Sequence, residues 1–378
     1  MEKNKIHNFP PPKILWYEIY FLGVDGMLCT KKQRAVALLL LSVLFATLFL
    51  AGCGREDFKE TQAAEESKEF TTIRVAKQFG LVYAPLMVAE KIDFFSKYGL
   101  KVEWMTLGSG GAVREAMASN ELDAAFMGIP PFLIGWDKGL PAKIAAGYCV
   151  IPTSLVTYDE SINSLEDFKP EHKIALPSPG GVQHILLSMA LETQLGDPNA
   201  LDDNLVALPH PDGAQAMLAK KDVVAHFTTP PYLFEELEQP GYKVVLDGFE
   251  AFGQEFNFNV ALVTESYHDN NPLGYAAFVQ GLNEAMNWVN ENKEETAKLL
   301  APEFQLEEAK LLRYLTAEGV NFTTAPYGLM GFADFMQRAG YISKVPQNLS
   351  EIAWENILAQ VGKREGGPCT LEAIQWSK

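Results

Sequence analysis

Four short segments combine glycine, proline and hydroxyl side chains at points where a β-rich run gives way to a helical one. They are Leu107-Gly108-Ser109-Gly110-Gly111, Gly128-Ile129-Pro130-Pro131, Pro177-Ser178-Pro179-Gly180-Gly181 and Thr228-Thr229-Pro230-Pro231. Glycine lets backbone approach a ligand closely, and proline suits the first helical turn. A helix start offers amides outside its own hydrogen-bond ladder together with partial positive charge. One such terminus contributes only ~0.3–1 kcal/mol to an exposed anion. Several converging in a closed, drier cleft would hold a small ligand. None of the four reads G-x-x-x-x-G-K-[ST], and Gly108-Ser109-Gly110-Gly111 lacks the G-x-G-x-x-G spacing, so nucleotide chemistry is not indicated.

Other chemistries find little support. The six histidines show no metal-ligand spacing, and there is no His-Glu-x-x-His or Cys-x-x-Cys, so no metal and no cofactor is expected. No Ser-His-Asp or Cys-His arrangement is visible, and a binding protein rather than an enzyme is expected. Cys149 and Cys369 make no disulfide framework and are expected as free thiols.

The elements that must position the four segments alternate along the chain. β-rich runs at 73–76, 101–104, 123–126 and 143–146 are separated by helical stretches at 85–98, 112–119 and 132–138. Runs at 173–176, 205–208, 223–227 and 243–246, with helical stretches at 182–195 and 213–220, repeat the pattern. Such alternation implies crossover connections and mostly parallel sheet. After a strand at 257–263 the chain turns mainly helical, with stretches at 272–292, 293–300, 306–318 and 332–339. Two α/β lobes with a helical C-terminal part follow. Lobe 1 is discontinuous, 71–158 and 256–365, lobe 2 is 159–255, and 366–378 is a tail. The chain is expected to cross near 158–161 and again near 253–258.

The N-terminus carries a different message. Lys31-Lys32-Gln33-Arg34 precedes an uncharged run, Ala35 to Ala51, which is the basic and apolar layout of a secretion signal. It ends in Leu50-Ala51-Gly52-Cys53, which resembles the bacterial lipobox; Cys53 would then be lipidated and become the first residue. The preceding residues 1–26, with Pro10-Pro11-Pro12 and Trp16-Tyr17, fit no signal, and Met27 is the expected start. Residues 54–70 are charged and polar without apolar period, a flexible tether. Removing residues 1–52 takes six basic and three acidic residues from 31 and 48, leaving 25 and 45, a formal net charge of −20. That balance excludes nucleic acid as a partner, since phosphate backbones need clustered Lys and Arg.

The order of segments resembles a known family: the substrate-binding proteins of ABC importers for nitrate, sulfonates and taurine, related to thiamin-pyrimidine precursor binding proteins. Matching stretches are Ala84-Pro85-Leu86-Met87-Val88-Ala89-Glu90, Tyr98-Gly99-Leu100-Lys101-Val102 and Gly108-Ser109-Gly110-Gly111. Asn120-Glu121-Leu122-Asp123-Ala124-Ala125-Phe126 and Ser164-Leu165-Glu166-Asp167-Phe168-Lys169 continue the match. One departure stands out: where the family commonly reads Gly-x-Val-Asp-Ala, this chain has Lys221-Asp222-Val223-Val224-Ala225.

The resemblance implies a type II periplasmic-binding-protein fold, two lobes closing on a small ligand. It implies an exported, lipid-anchored monomer outside the cytoplasm that delivers its ligand to an ABC permease and ATPase. Carried over as ligand-binding are Ser109, Gly110, Gly111, Gly128, Ile129, Pro130, Pro131, Ser178, Pro179, Gly180, Gly181, Thr228, Thr229 and Pro230. Tyr83, Asn257 and Asn259 are added from the strand ends and the recrossing. Two ligand classes remain open. A nitrate- or sulfonate-like anion would use helix starts and hydroxyls, although the four segments hold no Lys or Arg. A flat heteroaromatic would use the ring-bearing residues on or beside them: Tyr83, Phe126, Phe132, Trp136, His184, Phe227, Tyr232 and Phe258.

Overall fold

A computed structural model describes residues 71–361; the expected secretion segment, the expected lipid site at Cys53, the expected tether, the expected tail and Cys369 lie outside the described residues. Eleven strands are described: β1 (Thr71–Lys77), β2 (Leu100–Thr106), β3 (Ala124–Gly128), β4 (Ala142–Val150), β5 (Ser154–Thr157), β6 (Ile174–Leu176), β7 (Leu205–Ala207), β8 (Ala225–Thr228), β9 (Lys243–Asp247), β10 (Asn259–Thr264) and β11 (Asn321–Phe322). They form two sheets, ordered β11-β4-β10-β3-β1-β2 and β7-β6-β8-β5-β9.

The two sheets share one plan. In the first, β1 pairs in parallel with β2 and β3, and β10 lies antiparallel between β3 and β4. In the second, β6 pairs in parallel with β7 and β8, and β5 lies antiparallel between β8 and β9. Each antiparallel insert directly follows a passage between sheets. The strands at the centre are buried at every position, AAFMG in β3 and NVALVT in β10, with only Asn259 and Thr264 polar at the ends of β10. This is the composition of strands covered on both faces.

Two local expectations are corrected. Strand β5 had no signal in the sequence, and it carries the chain into the second sheet between Val150 and Ser154, ahead of the expected crossing near 158. Its partners β8 and β9 lie about 70 to 90 residues away, so nothing local announces it. The helical stretch at 85–98 is broken: helix Ala84–Ile92 stops at Asp93, in the left-handed region at φ 55°, and Ser96–Tyr98 forms a separate 3₁₀ turn before Gly99. The return passage is held by aromatic packing, with Phe252 4.5 Å and Phe256 5.2 Å from the Phe332 ring. Cys149 is buried and unpaired among the described residues, and burial raises its thiol pKa to about 12. No helix among the described residues is long and apolar enough to cross a membrane.

Candidate functional site

Four helices start where a strand ends: Gly110–Ala118 after β2, Ile129–Asp137 after β3, Val182–Leu195 after β6 and His210–Leu218 after β7. Their leading residues Gly110, Val182, Gln183 and His210, with the N-cap Gly128, line one cleft enclosing about 400 Å³ of empty space including its mouth. Open parallel sheets place ligands at such strand ends. The fourth expected segment supplies Thr229 to the cleft, but the helix behind it, Tyr232–Leu237, is short; Pro209-His210 takes the place it was expected to fill.

The two halves touch across the cleft. The Leu81 amide donates to the Pro230 carbonyl at 2.9 Å. A Cβ built on Gly128 would lie 2.1 Å from Val182 Cγ2, so only glycine permits this approach. Tyr341, from the helical C-terminal part, reaches Ser188 Oγ at 2.8 Å.

The polar lining is neutral. Gln78 Nε2 donates to the Phe126 carbonyl at 3.0 Å, and Asn259 Nδ2 donates to the Tyr83 hydroxyl at 2.6 Å. Burial drives the Tyr83 phenol pKa well above its ordinary value, so it stays protonated. Among the described residues the buried Ser178 and Thr229 hydroxyls have no partner. Such orphans are uncommon and costly, and both residues line the cleft. Phe79, 41 % exposed, and Phe258 supply aromatic faces. No Lys or Arg is in the lining; nearby Lys77 is paired with Glu90.

Behind His210 runs a buried polar chain. Gln183 Nε2 lies 3.2 Å from His210 Nε2, and Thr228 Oγ1 3.0 Å from His210 Nδ1. His210 Nδ1 is 3.5 Å from His226 Nε2, and His226 Nδ1 is 2.6 Å from Glu236 Oε1. His226 and Glu236 are both 0 % exposed. Burial raises the Glu236 carboxyl to about 9, lowers His226 to about 3 and holds His210 well below 6.5.

Of the sequence-predicted residues, the cleft gathers Tyr83, Gly110, Gly128, Pro131, Ser178, Gly181, Thr229 and Asn259. The others stand behind it. Ser109 caps a helix by accepting from the Ala112 amide at 3.2 Å, with Gly111 in its first turn. Ile129 and Pro130 are buried in the next helix start. Gly180, beside Pro179, donates its amide to His184 Nδ1 at 2.9 Å. Thr228 serves His210, Pro230 accepts from Leu81, and Asn257 Oδ1 accepts from the Tyr327 amide at 2.5 Å. Phe126, Phe132 and Phe227 are fully buried core. Gln78, Phe79, Gln183 and His210 line the cleft but had no signal beyond nearness to a predicted junction.

Two sheets of one plan, joined by exchanged antiparallel strands around a cleft of helix starts, define the periplasmic-binding-protein fold. The chain belongs to the NMT1-like family, whose model matches residues 66–301. A Bacillus subtilis (strain 168) relative named "Putative aliphatic sulfonates-binding protein" is 28% identical over 267 residues, covering 68% of this chain and 76% of that protein. Among solved structures, the alkanesulfonate-binding protein SsuA from Xanthomonas axonopodis pv. citri bound to MOPS is 18% identical, with a TM-score of 0.64, covering 76% of this chain and 99% of its own. The periplasmic nitrate-binding protein NrtA from Synechocystis PCC 6803 is 18% identical with a TM-score of 0.62, covering 79% and 90%. At those identities the two structures show the fold.

Proposed function

We propose that this protein is the exported, lipid-anchored solute-binding subunit of an ABC importer. It captures a small organic molecule with an anionic or strongly accepting head group and presents it to a permease. The observation that carries this reading is the convergence of four helix starts and two orphaned hydroxyls, Ser178 and Thr229, on one cleft. The helix starts bring partial positive charge and, apart from the one at Pro130-Pro131 where proline lacks an N–H, free amide donors, so a neutral lining can hold an anion without a paired cation. Lipid at Cys53 and a polar tether keep the binder near the membrane, as handing over a ligand requires. The protein acts as a monomer and needs no cofactor.

A flat heteroaromatic ligand is the second reading. Phe79, Tyr83 and Phe258 beside the carboxamides of Gln78, Gln183 and Asn259 favour it, because rings stack on aromatic faces while amides read their edges. A thermal-shift screen of alkanesulfonates, nitrate, pyrimidines and flavins decides between them. A true ligand at 100 times its dissociation constant stabilises by ~2.7 kcal/mol. A panel in which nothing moves the melting temperature overturns both.

A further inference from the structure

Glu236 belongs to no sequence motif, yet it ends a continuous chain of side chains that begins at the cleft wall. We propose that Glu236, held as the neutral acid, sets the tautomers of His226 and His210 so that Gln183 turns its NH2 group toward the ligand, making this wall a donor for an accepting head group. The inference deepens the reading of the cleft as a site for such a group and rests on it.

The geometry supports it step by step. Glu236 is wholly buried, its Oε2 has no partner, and its one ion-pair contact among the described residues is His226. An ionised carboxylate so placed would leave charge uncompensated on one oxygen, whereas the acid leaves only a weak carbonyl acceptor. The neighbours Glu235 and Tyr242 offer no cation; Tyr242 donates its hydroxyl to the Met217 carbonyl at 2.6 Å. The acid proton then lies toward His226 Nδ1, so His226 carries its single proton on Nε2. That N–H faces His210 Nδ1, which must be bare to avoid donor against donor, and Thr228 can donate to the same atom. His210 therefore keeps its proton on Nε2, facing Gln183. A carboxamide nitrogen at 3.2 Å from that N–H would again set donor against donor. A half-turn of the amide puts Oε1 there and moves the NH2 group to the present place of Oε1, 3.7 Å from a Cβ built on Gly181, which lines the cleft. Burial raises the acid to about 9, in keeping with a neutral carboxyl at pH 7.

The fold makes room for this chain. A Cβ on Gly213, inside helix His210–Leu218, would lie 2.6 Å from His226 Nε2. Glycine there weakens the helix by ~1 kcal/mol relative to alanine, and the ring of His226 occupies the space gained. Tyr232 stacks on His210 at 5.9 Å and fixes the plane of its ring.

The test needs no ligand. Full-length protein labelled with 15N-histidine is examined at pH 7, with H210Q and H226Q assigning the imidazole signals. The expected result is a protonated Nε2 and a bare Nδ1 on both rings. In the infrared, the carbonyl stretch of a protonated carboxyl is present in the wild type and missing in E236Q. An Nδ1-protonated or doubly protonated His226, or no such band lost in E236Q, overturns the proposal. A silent ligand panel leaves the tautomers readable, and wrong tautomers leave the panel readable, so the two failures are distinct.

Discussion

Replacing Glu236 by glutamine should remove a pH dependence of stability whose sign and window follow from the buried pair. In the unfolded chain Glu236 titrates near 4.5 and His226 near 6.5; folded, the pair runs from about 3 to about 9. The folded pair thus holds one proton throughout that interval. The unfolded chain also holds one between about 4.5 and 6.5, so stability there does not change with pH on their account. Above 6.5 the unfolded chain holds none and the folded pair still holds one. Stability then falls as pH rises, by ~1.4 kcal/mol per unit, and the loss is complete as pH passes about 9. Over that span it amounts to roughly 3 kcal/mol as an upper bound. Below 4.5 the sign reverses, because the unfolded chain takes its second proton on Glu236 near 4.5 whereas the folded pair takes one on His226 only near 3. Glutamine carries no such proton, so urea unfolding of wild type and E236Q at intervals from pH 6.5 to 9 should give diverging curves, all other groups cancelling in the difference. Parallel curves would refute the reasoning. An imidazolium–carboxylate pair would hold the same single proton; unfolding counts it, and the nitrogen and infrared spectra place it.

Other outcomes follow from single contacts. G128A puts a methyl against Val182 across the cleft; it should cost ~1–3 kcal/mol of stability or hold the lobes apart, seen as a larger radius of gyration by small-angle scattering. G213A gains ~1 kcal/mol of helix propensity but meets His226 Nε2 at 2.6 Å, so denaturant unfolding should show a net loss. T229V removes an orphaned buried hydroxyl; the free protein should be unchanged or more stable by up to ~1 kcal/mol, while calorimetry with whichever panel compound binds should show weaker affinity. Y341F deletes the hydroxyl that meets Ser188 and His184, and its effect should appear as faster amide exchange at the start of helix Val182–Leu195.

Much of the fold is readable in the chain because its causes are local. Apolar runs bounded by glycine and proline place most strands within a few residues, and the Ser109 cap and the prolines after Gly128 mark helix starts that the structure contains. The proposed secretion signal and lipid site at Cys53 likewise rest on neighbouring residues alone. Strand β5 was not readable, since its register is set by β8 and β9 from far along the chain. The cleft divides in the same way. Its glycines and hydroxyls announce themselves by type and spacing, because backbone freedom and free amides are properties of a turn. Gln183, His210, His226 and Glu236 carry no shared spacing, and a histidine or glutamate in isolation reads as surface. Only the packing of helix His210–Leu218 against β8 and against helix Tyr232–Leu237 brings them into line and excludes water. Burial then decides where each proton sits, and burial belongs to the assembled lobes.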